Sequence, residues 1–286
     1  MATLRATGIT IVFLLVTLLL IPVQWLGVKL HAGWQRSLPH IYHRFVCKLI
    51  GARITVLGTP AQGGVLLTAN HTGWIDIPIL SAVAPVSFVA KQEVNRWPFF
   101  GTLARLQRTV FVRRERAKAM EDRDNIRRRL SDGDALVLFP EGTSSDGNRV
   151  LPFKSSLLSA AELSVGDGAR HAPVQPVSVS YVGLHGVPMG RENRPLIAWY
   201  GDMDLLSHLW EALGAGPVDV VVELHPPMTI DEAGGRKELA AAAEAAVRGG
   251  VIRALAGANS AAAVPHRDDE LIEALEKEEA DADGAG

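Results

Sequence analysis

A histidine and an aspartate stand five positions apart in Asn70-His71-Thr72-Gly73-Trp74-Ile75-Asp76, and this pair is suited to acid–base chemistry. An imidazole titrates near neutrality, so it can take a proton from a hydroxyl while a carboxylate holds its other nitrogen. That hydroxyl would belong to a substrate, because the chain has neither a Gly-x-Ser-x-Gly elbow nor a His-Glu-x-x-His zinc motif. A second string, Phe139-Pro140-Glu141-Gly142-Thr143-Ser144-Ser145, offers a carboxylate, three hydroxyls and a glycine that permits sharp turning. Between the two strings the chain is basic: Arg105, Arg108, Arg113, Arg114, Arg116, Lys118, Arg123, Arg127, Arg128 and Arg129. Guanidinium forks match the geometry of phosphate oxygens.

Spacing alone leaves each feature with a plainer reading. Five residues of regular helix rotate a side chain by about 140°, so His71 and Asp76 meet only if 72–75 forms a turn. Otherwise they are a structural histidine and a helix-capping aspartate. The Gly/Ser string can be an ordinary turn. Arg127 to Arg129 suit the solvated face of a helix shared with Glu121, Asp122 and Asp124, whereas Arg113 or Arg114 can stand at a sheet edge after Val110-Phe111-Val112.

The elements that must position these groups alternate along the chain. Strands are expected over 53–57, 64–69, 86–90, 109–112, 135–139, 174–182, 196–200 and 218–224. Helices are expected over 78–83, 97–106, 116–131, 155–163 and 231–256, the last capped by Asp231. Residues 183–194, rich in glycine, read as an exposed loop. The pattern predicts an α/β fold: a mixed, mainly parallel sheet flanked by helices, with an N-terminal hydrophobic membrane-anchoring helix. Such a sheet gathers functional loops at one edge. His71 then leaves a strand end, and Pro78 fits the first turn of the following helix.

No charge falls between Ala6 and Val28, and Ile9 to Ile21 is almost wholly apolar. About 20 such residues cross a hydrocarbon core of about 30 Å, although Pro22 and Gln24 also allow a shorter or kinked insertion. The absence of a clear small-x-small cleavage site before His31 speaks against a cleaved signal peptide. Lys29, Arg36, Arg44, Lys48 and Arg53 follow, which favours a cytoplasmic body. Interleaved Trp25, Trp34, Leu38, Ile41, Tyr42, Phe45 and Val46 fit either a helix at the membrane interface or one packed on the domain.

The 286 residues are 48% hydrophobic and 21% charged, enough to bury a sizeable core. A single cysteine, Cys47, excludes an internal disulfide and any multi-cysteine metal site. The whole chain carries −2, yet its last 22 residues hold nine acids against Arg267 and Lys277, so the body is mildly basic. The expected organisation is a membrane anchor and interfacial helix over 1–50, a catalytic domain over 51–256, and a linker with an acidic, disordered tail over 257–286.

Taken together, His71-x4-Asp76 preceded by Asn70, Val110-Phe111-Val112-Arg113-Arg114, Phe139-Pro140-Glu141-Gly142-Thr143 and Val174-Gln175-Pro176-Val177 resemble the four ordered motifs of the glycerolipid acyltransferases. The bacterial 1-acylglycerol-3-phosphate acyltransferase group is the best match, over roughly residues 50 to 225. The resemblance implies a membrane-bound O-acyltransferase, on the cytoplasmic side of a bacterial inner membrane. It would move a fatty acyl group from acyl-CoA or acyl carrier protein to the free hydroxyl of a lysolipid. The first acceptor it implies is 1-acyl-sn-glycerol-3-phosphate, giving phosphatidic acid. His71 would be the general base and Asp76 its orienting partner. Arg114, Glu141, Gly142 and Thr143 would hold the glycerol phosphate, and Pro176 would shape the acyl-donor or core site. Partners are then the acceptor, the thioester donor (acyl carrier protein where it carries the chain) and the bilayer. No cofactor, metal or nucleic acid is implied.

Two positions depart from the family pattern. Arg113 replaces an aspartate, and Ser144 stands where an arginine often follows the threonine, removing a phosphate contact. Arg149 or Lys154 is placed to restore that charge. The run Phe139 to Lys154 also resembles the lyso-ornithine-lipid acyltransferase branch, which makes lyso-ornithine lipid the alternative acceptor. A reading of another class is a non-catalytic, membrane-anchored lipid-binding protein whose basic stretch holds anionic head groups.

Overall fold

The computed structural model describes residues 1–113, 119–165 and 170–258. Its strands are β1 (Ala52–Leu57), β2 (Val65–Ala69), β3 (Val86–Lys91), β4 (Val110–Val112), β5 (Ala135–Leu138), β6 (Ser164–Val165), β7 (Arg170–His171), β8 (Val174–Leu184), β9 (Val187–Pro188) and β10 (Val218–Leu224). The helices are α1 (Ala2–Lys29), α2 (Trp34–Ile50), α3 (Asp76–Val83), α4 (Phe100–Leu106), α5 (Ala119–Ser131), α6 (Leu205–Ala215), α7 (Ile230–Ala233) and α8 (Arg236–Leu255).

Among the described residues the main sheet runs β1-β10-β8-β2-β5-β3-β4, with β9 hairpinned onto β8. β8, β2, β5, β3 and β4 are parallel, whereas β10 is antiparallel to β8 and parallel to β1. The carboxyl ends of the five parallel strands therefore share one edge. β2 lies at the centre and is buried at every position, as its unbroken apolar sequence requires. Its side chains alternate between two cores. Val65, Leu67 and Ala69 join Val46, Cys47 and Ile50 of α2 with Ile79 and Leu80 of α3. Leu66 joins Ile126 and Leu130 of α5 with Leu239 and Ala240 of α8.

α1 continues through Pro22 without a break, is apolar (mean hydropathy 2.5) and is long enough to cross a membrane. One side touches the body: Arg5 binds the carbonyls of Ile50 and Leu213, and the Gln24 amide donates to Gln35 O and Leu106 O, both at 2.9 Å. Most of its apolar side chains, Ile11, Leu15, Leu18 and Leu19 among them, are exposed. α2 packs on the domain through Val46, Cys47 and Ile50 and leaves Trp34, Ile41 and Phe45 exposed.

Several elements differ from expectation. Residues 196–200 are not a strand: a 3-10 turn over Arg194–Leu196 leads into irregular chain. The reason is that Trp199 bonds to neighbouring loops, its N–H to Thr72 O and its carbonyl to the Ser144 hydroxyl. The 231–256 helix is split at Gly234 and Gly235, both at positive φ, and α7 is capped by Thr229 in a reciprocal box with Glu232 rather than by Asp231. The 155–163 segment is a 3-10 helix, and the 183–194 loop opens with the β8–β9 hairpin. Helix α6 has no counterpart in the predicted elements. Arg114, Arg116 and Lys118, and the chain from 259 onward with its acidic tail, lie outside the described residues.

Arg129 also leaves the solvated face on which patterning put it. It turns inward onto Asp134, which Arg108 (2.8 Å) and Arg36 (3.0 Å) bind as well. The Asp134 side chain is 4% exposed and precedes β5, so it pins α2, the chain before β4, and α5 to the central sheet. Removing one partner of a buried ionic cluster strands the rest, so Asp134→Ala should cost about 3–5 kcal/mol in a denaturant melt. Loss below 1 kcal/mol would show that the cluster is not structural.

Candidate active site

The site begins where β2 ends. Asn70 is buried, and its side-chain amide acts as a substitute peptide: Nδ2 donates to Val179 O at 2.9 Å and Oδ1 accepts from Val179 N at 2.8 Å. Pairing with β8 thus extends one step beyond Ala69 while the main chain is released to turn. His71 is the first residue past that point, at the carboxyl edge of the sheet.

Residues 72–75 form the turn that spacing required. Asp76, the first residue of α3, is fully buried. Its Oδ2 accepts from Thr72 N at 2.6 Å, Gly73 N at 3.0 Å and His71 Nδ1 at 2.8 Å, and Oδ1 accepts from the Tyr181 hydroxyl at 2.6 Å. A carboxylate at a helix N-terminus is also favoured by the helix dipole. Gly73 is needed because a Cβ there would lie 2.8 Å from Trp199 N.

With Nδ1 donating to a carboxylate, Nε2 is left as the basic nitrogen. Nε2 has no hydrogen-bond partner among the described residues, and the His71 side chain is 22% exposed. The ring stacks on Phe139 (centroids 4.0 Å apart, planes at 17°), which stacks on Phe88. The imidazole is therefore held at one nitrogen and along one face, with the other nitrogen free for a proton.

Glu141 comes to the same place from the end of β5, but its contacts are with backbone. One oxygen accepts from His71 N (3.3 Å) and the other from Leu151 N (3.0 Å), and the residue is 1% exposed. Burial pushes its carboxyl up to about 8, against the pull of those two amides and with reinforcement from the charge of Asp76. Gly142 follows at φ +70°, with the Lys91 ammonium on its carbonyl at 2.9 Å and the Lys154 ammonium beside it. Thr143 is exposed, and Ser144 donates to Trp199 O at 2.6 Å.

The basic residues fare unevenly. Arg113 is turned back onto Asp122 and Glu121 of α5, and Arg114 lies outside the described residues. Arg149 is largely exposed, 3.9 Å from Asp146. Pro176 lies within β8, paired with Thr68. Sequence reasoning missed Tyr181 and Lys91. A tyrosine inside a buried strand needs a partner for its hydroxyl, and that was the available signal. Lys91 closes a parallel strand at the functional edge, as Arg113 does.

A histidine held by a buried carboxylate at the edge of this mixed sheet is an arrangement able to take a proton from a hydroxyl. Comparison with known proteins makes the class specific: residues 53–180 match the acyltransferase family, and the chain belongs to it. It is 46% identical to the lyso-ornithine lipid O-acyltransferase of Brucella abortus (strain 2308) over 258 residues, covering 89% of this chain and 97% of that one. It is 33% identical to the 1-acyl-sn-glycerol-3-phosphate acyltransferase of Neisseria gonorrhoeae over 171 residues, covering 58% of this chain and 62% of that protein. The crystal structure of the 1-acyl-sn-glycerophosphate (LPA) acyltransferase from Thermotoga maritima shares the fold, with a TM-score of 0.61 at 22% identity over 88% of this chain and 97% of that one. The chain is an enzyme of the acyltransferase class, which sets aside the non-catalytic lipid-binding reading.

The raised Glu141 carboxyl has a consequence for stability. The fold holds a proton there up to pH about 8, whereas the unfolded chain releases it near the ordinary 4.5. The unfolded state then binds fewer protons across that window, so stability should fall as pH rises from about 5 to 8. Glu141→Gln cannot lose a proton, so its melting temperature relative to wild type should climb over the same range. A constant difference between the two would mean that Glu141 is ionised throughout.

Proposed function

We propose that this chain transfers a fatty acyl group from an acyl thioester to the free hydroxyl of a lysolipid at the membrane, with His71 as general base and Asp76 holding it. His71 Nε2 takes the hydroxyl proton as the acceptor oxygen attacks the thioester carbonyl. The tetrahedral intermediate collapses with cleavage of the carbon–sulfur bond, and the imidazolium returns the proton to the leaving thiolate. Nothing is oxidised or reduced, and the donor can be the thioester of coenzyme A or of acyl carrier protein. The observation that carries the reading is the His71 Nδ1–Asp76 bond with Nε2 unbonded at the sheet edge.

The acceptor we infer is a lyso-ornithine lipid ahead of 1-acyl-sn-glycerol-3-phosphate, the reverse of the order implied by the motifs alone. The support is the relative of that name, similar over nearly its whole length, against the shorter and weaker likeness to the glycerol-phosphate enzyme. Ser144 agrees with this order: its hydroxyl is engaged by Trp199 O, and no guanidinium follows Thr143 to meet a phosphate. Glu141 is inferred to act on the acceptor through the backbone of His71, with Gly142 and Thr143 nearest the head group and Arg114 binding it as the motif implies. The basic residues after α1 favour a body on the cytoplasmic side.

Purified enzyme given labelled donor and a panel of lysolipids tests both levels. Wild type should turn over lyso-ornithine lipid faster than 1-acyl-sn-glycerol-3-phosphate, and His71→Ala should lose a factor of about 100 or more while remaining folded. Full turnover by His71→Ala would remove the base, whereas preference for the glycerol phosphate would overturn only the acceptor.

A further inference from the structure

Helix α6, which patterning did not find, carries two different exposed stripes. Met203 stands just before the cap of α6, and because successive residues of a helix advance by about 100°, Leu206 and Trp210 fall within one narrow arc along it. They are 37%, 67% and 40% exposed. The neighbouring arc carries Asp204, Ser207 and Glu211, also exposed, and Asp204 caps the helix by accepting from Ser207 N at 2.9 Å. The remaining arc is buried through His208, Ala212 and Leu213.

We propose that α6 lies in the bilayer interface beside α1, as a second membrane contact, with Leu206 and Trp210 turned into the lipid. Continuity with α1 identifies the occupant. Gly214, one turn beyond Trp210 and on the same side, packs against Ala2, and Arg5 of α1 holds Leu213 O. Leu209 and Leu213 share a core with Ala6 and Ile9. The apolar stripe of α6 therefore continues the uncovered apolar side of α1, where Leu4 is 81% and Leu15 64% exposed. An apolar stripe with a tryptophan and a polar stripe next to it suits the boundary between acyl chains and head groups.

The same helix reaches the catalytic loop. On its buried side His208 Nδ1 accepts from Trp74 Nε1 at 3.1 Å, and Trp74 lies in the 72–75 turn that wraps Asp76. Burial lowers the affinity of His208 for a proton, which keeps the imidazole neutral and able to accept. Seating α6 on lipid thus fixes the height of the His71 loop above the bilayer, where a membrane-borne acceptor would present its hydroxyl. The inference rests on α1 as a membrane helix, and its failure is separable from the failure of that reading.

The native thiol makes the test clean, because Cys47 is 3% exposed and burial pushes its pKa up to about 12. The full chain is bound to phosphatidylethanolamine/phosphatidylglycerol vesicles with an environment-sensitive dye on Leu206→Cys, Trp210→Cys, Ser207→Cys or Glu211→Cys. Flotation with the vesicles reports on α1. A lipid-borne nitroxide should quench dye at 206 and 210 several-fold more than at 207 and 211, with a blue shift at the first pair only. Protein that floats while 206 and 210 stay unquenched overturns the proposal. So does a stripe shielded from aqueous iodide but untouched by the lipid quencher, which would mean that a second copy covers it.

Discussion

A fully buried carboxylate is costly to fold around unless its charge is met, and Asp76 is met on both oxygens. Its need for donors shapes everything nearby. Two are backbone amides, which forces 72–75 into a tight turn around the carboxylate. Another is His71 Nδ1, which sets the imidazole's orientation and leaves Nε2 basic. The last is the Tyr181 hydroxyl, which ties the loop to the strand beside β2. Without those partners the charge would not tolerate burial, and without the burial the histidine would have no fixed partner.

The surrounding frame makes that turn possible. Asn70 completes the pairing of β2 with β8 through its side chain, so the main chain can leave the sheet without abandoning the Val179 groups. Glu141 braces the His71 amide from the next strand, and Phe139 covers the ring. Because five strands are parallel, their carboxyl ends deliver His71, Glu141, Lys91 and Arg113 to one edge, the usual place for a ligand in such sheets. Arg113 shows that delivery is not employment: its guanidinium is drawn back to two acids on α5.

Much of this was legible in the residues. The alternation of apolar runs gave the strands that carry the site, and the His71–Asp76 spacing required the turn that is found. What escaped did so for physical reasons. Tyr181 and Asn70 act across strands more than 100 positions apart, where a single chain carries no pairing information. Residues 196–200 look like a strand because Leu196, Ile197, Trp199 and Tyr200 suit one, yet the amides of 196–198 close a local turn and the Trp199 backbone binds neighbouring loops. α6 was obscured because part of its apolar surface faces outward, which blurs the one-sided pattern that marks a surface helix. The motif makes Glu141 a substrate contact, whereas its burial and its His71 and Leu151 amide partners turn its carboxyl to the backbone. The second-motif Arg114 lies outside the described residues.

The whole site turns on Asp76 fixing His71 in the tautomer that leaves Nε2 free. Nitrogen-15 NMR of imidazole-labelled enzyme with His71 in its neutral form tests it directly. The expected spectrum shows a protonated Nδ1, seen as a downfield proton resonance that disappears in Asp76→Ala, together with an unprotonated Nε2. A neutral His71 carrying its proton on Nε2 would contradict it.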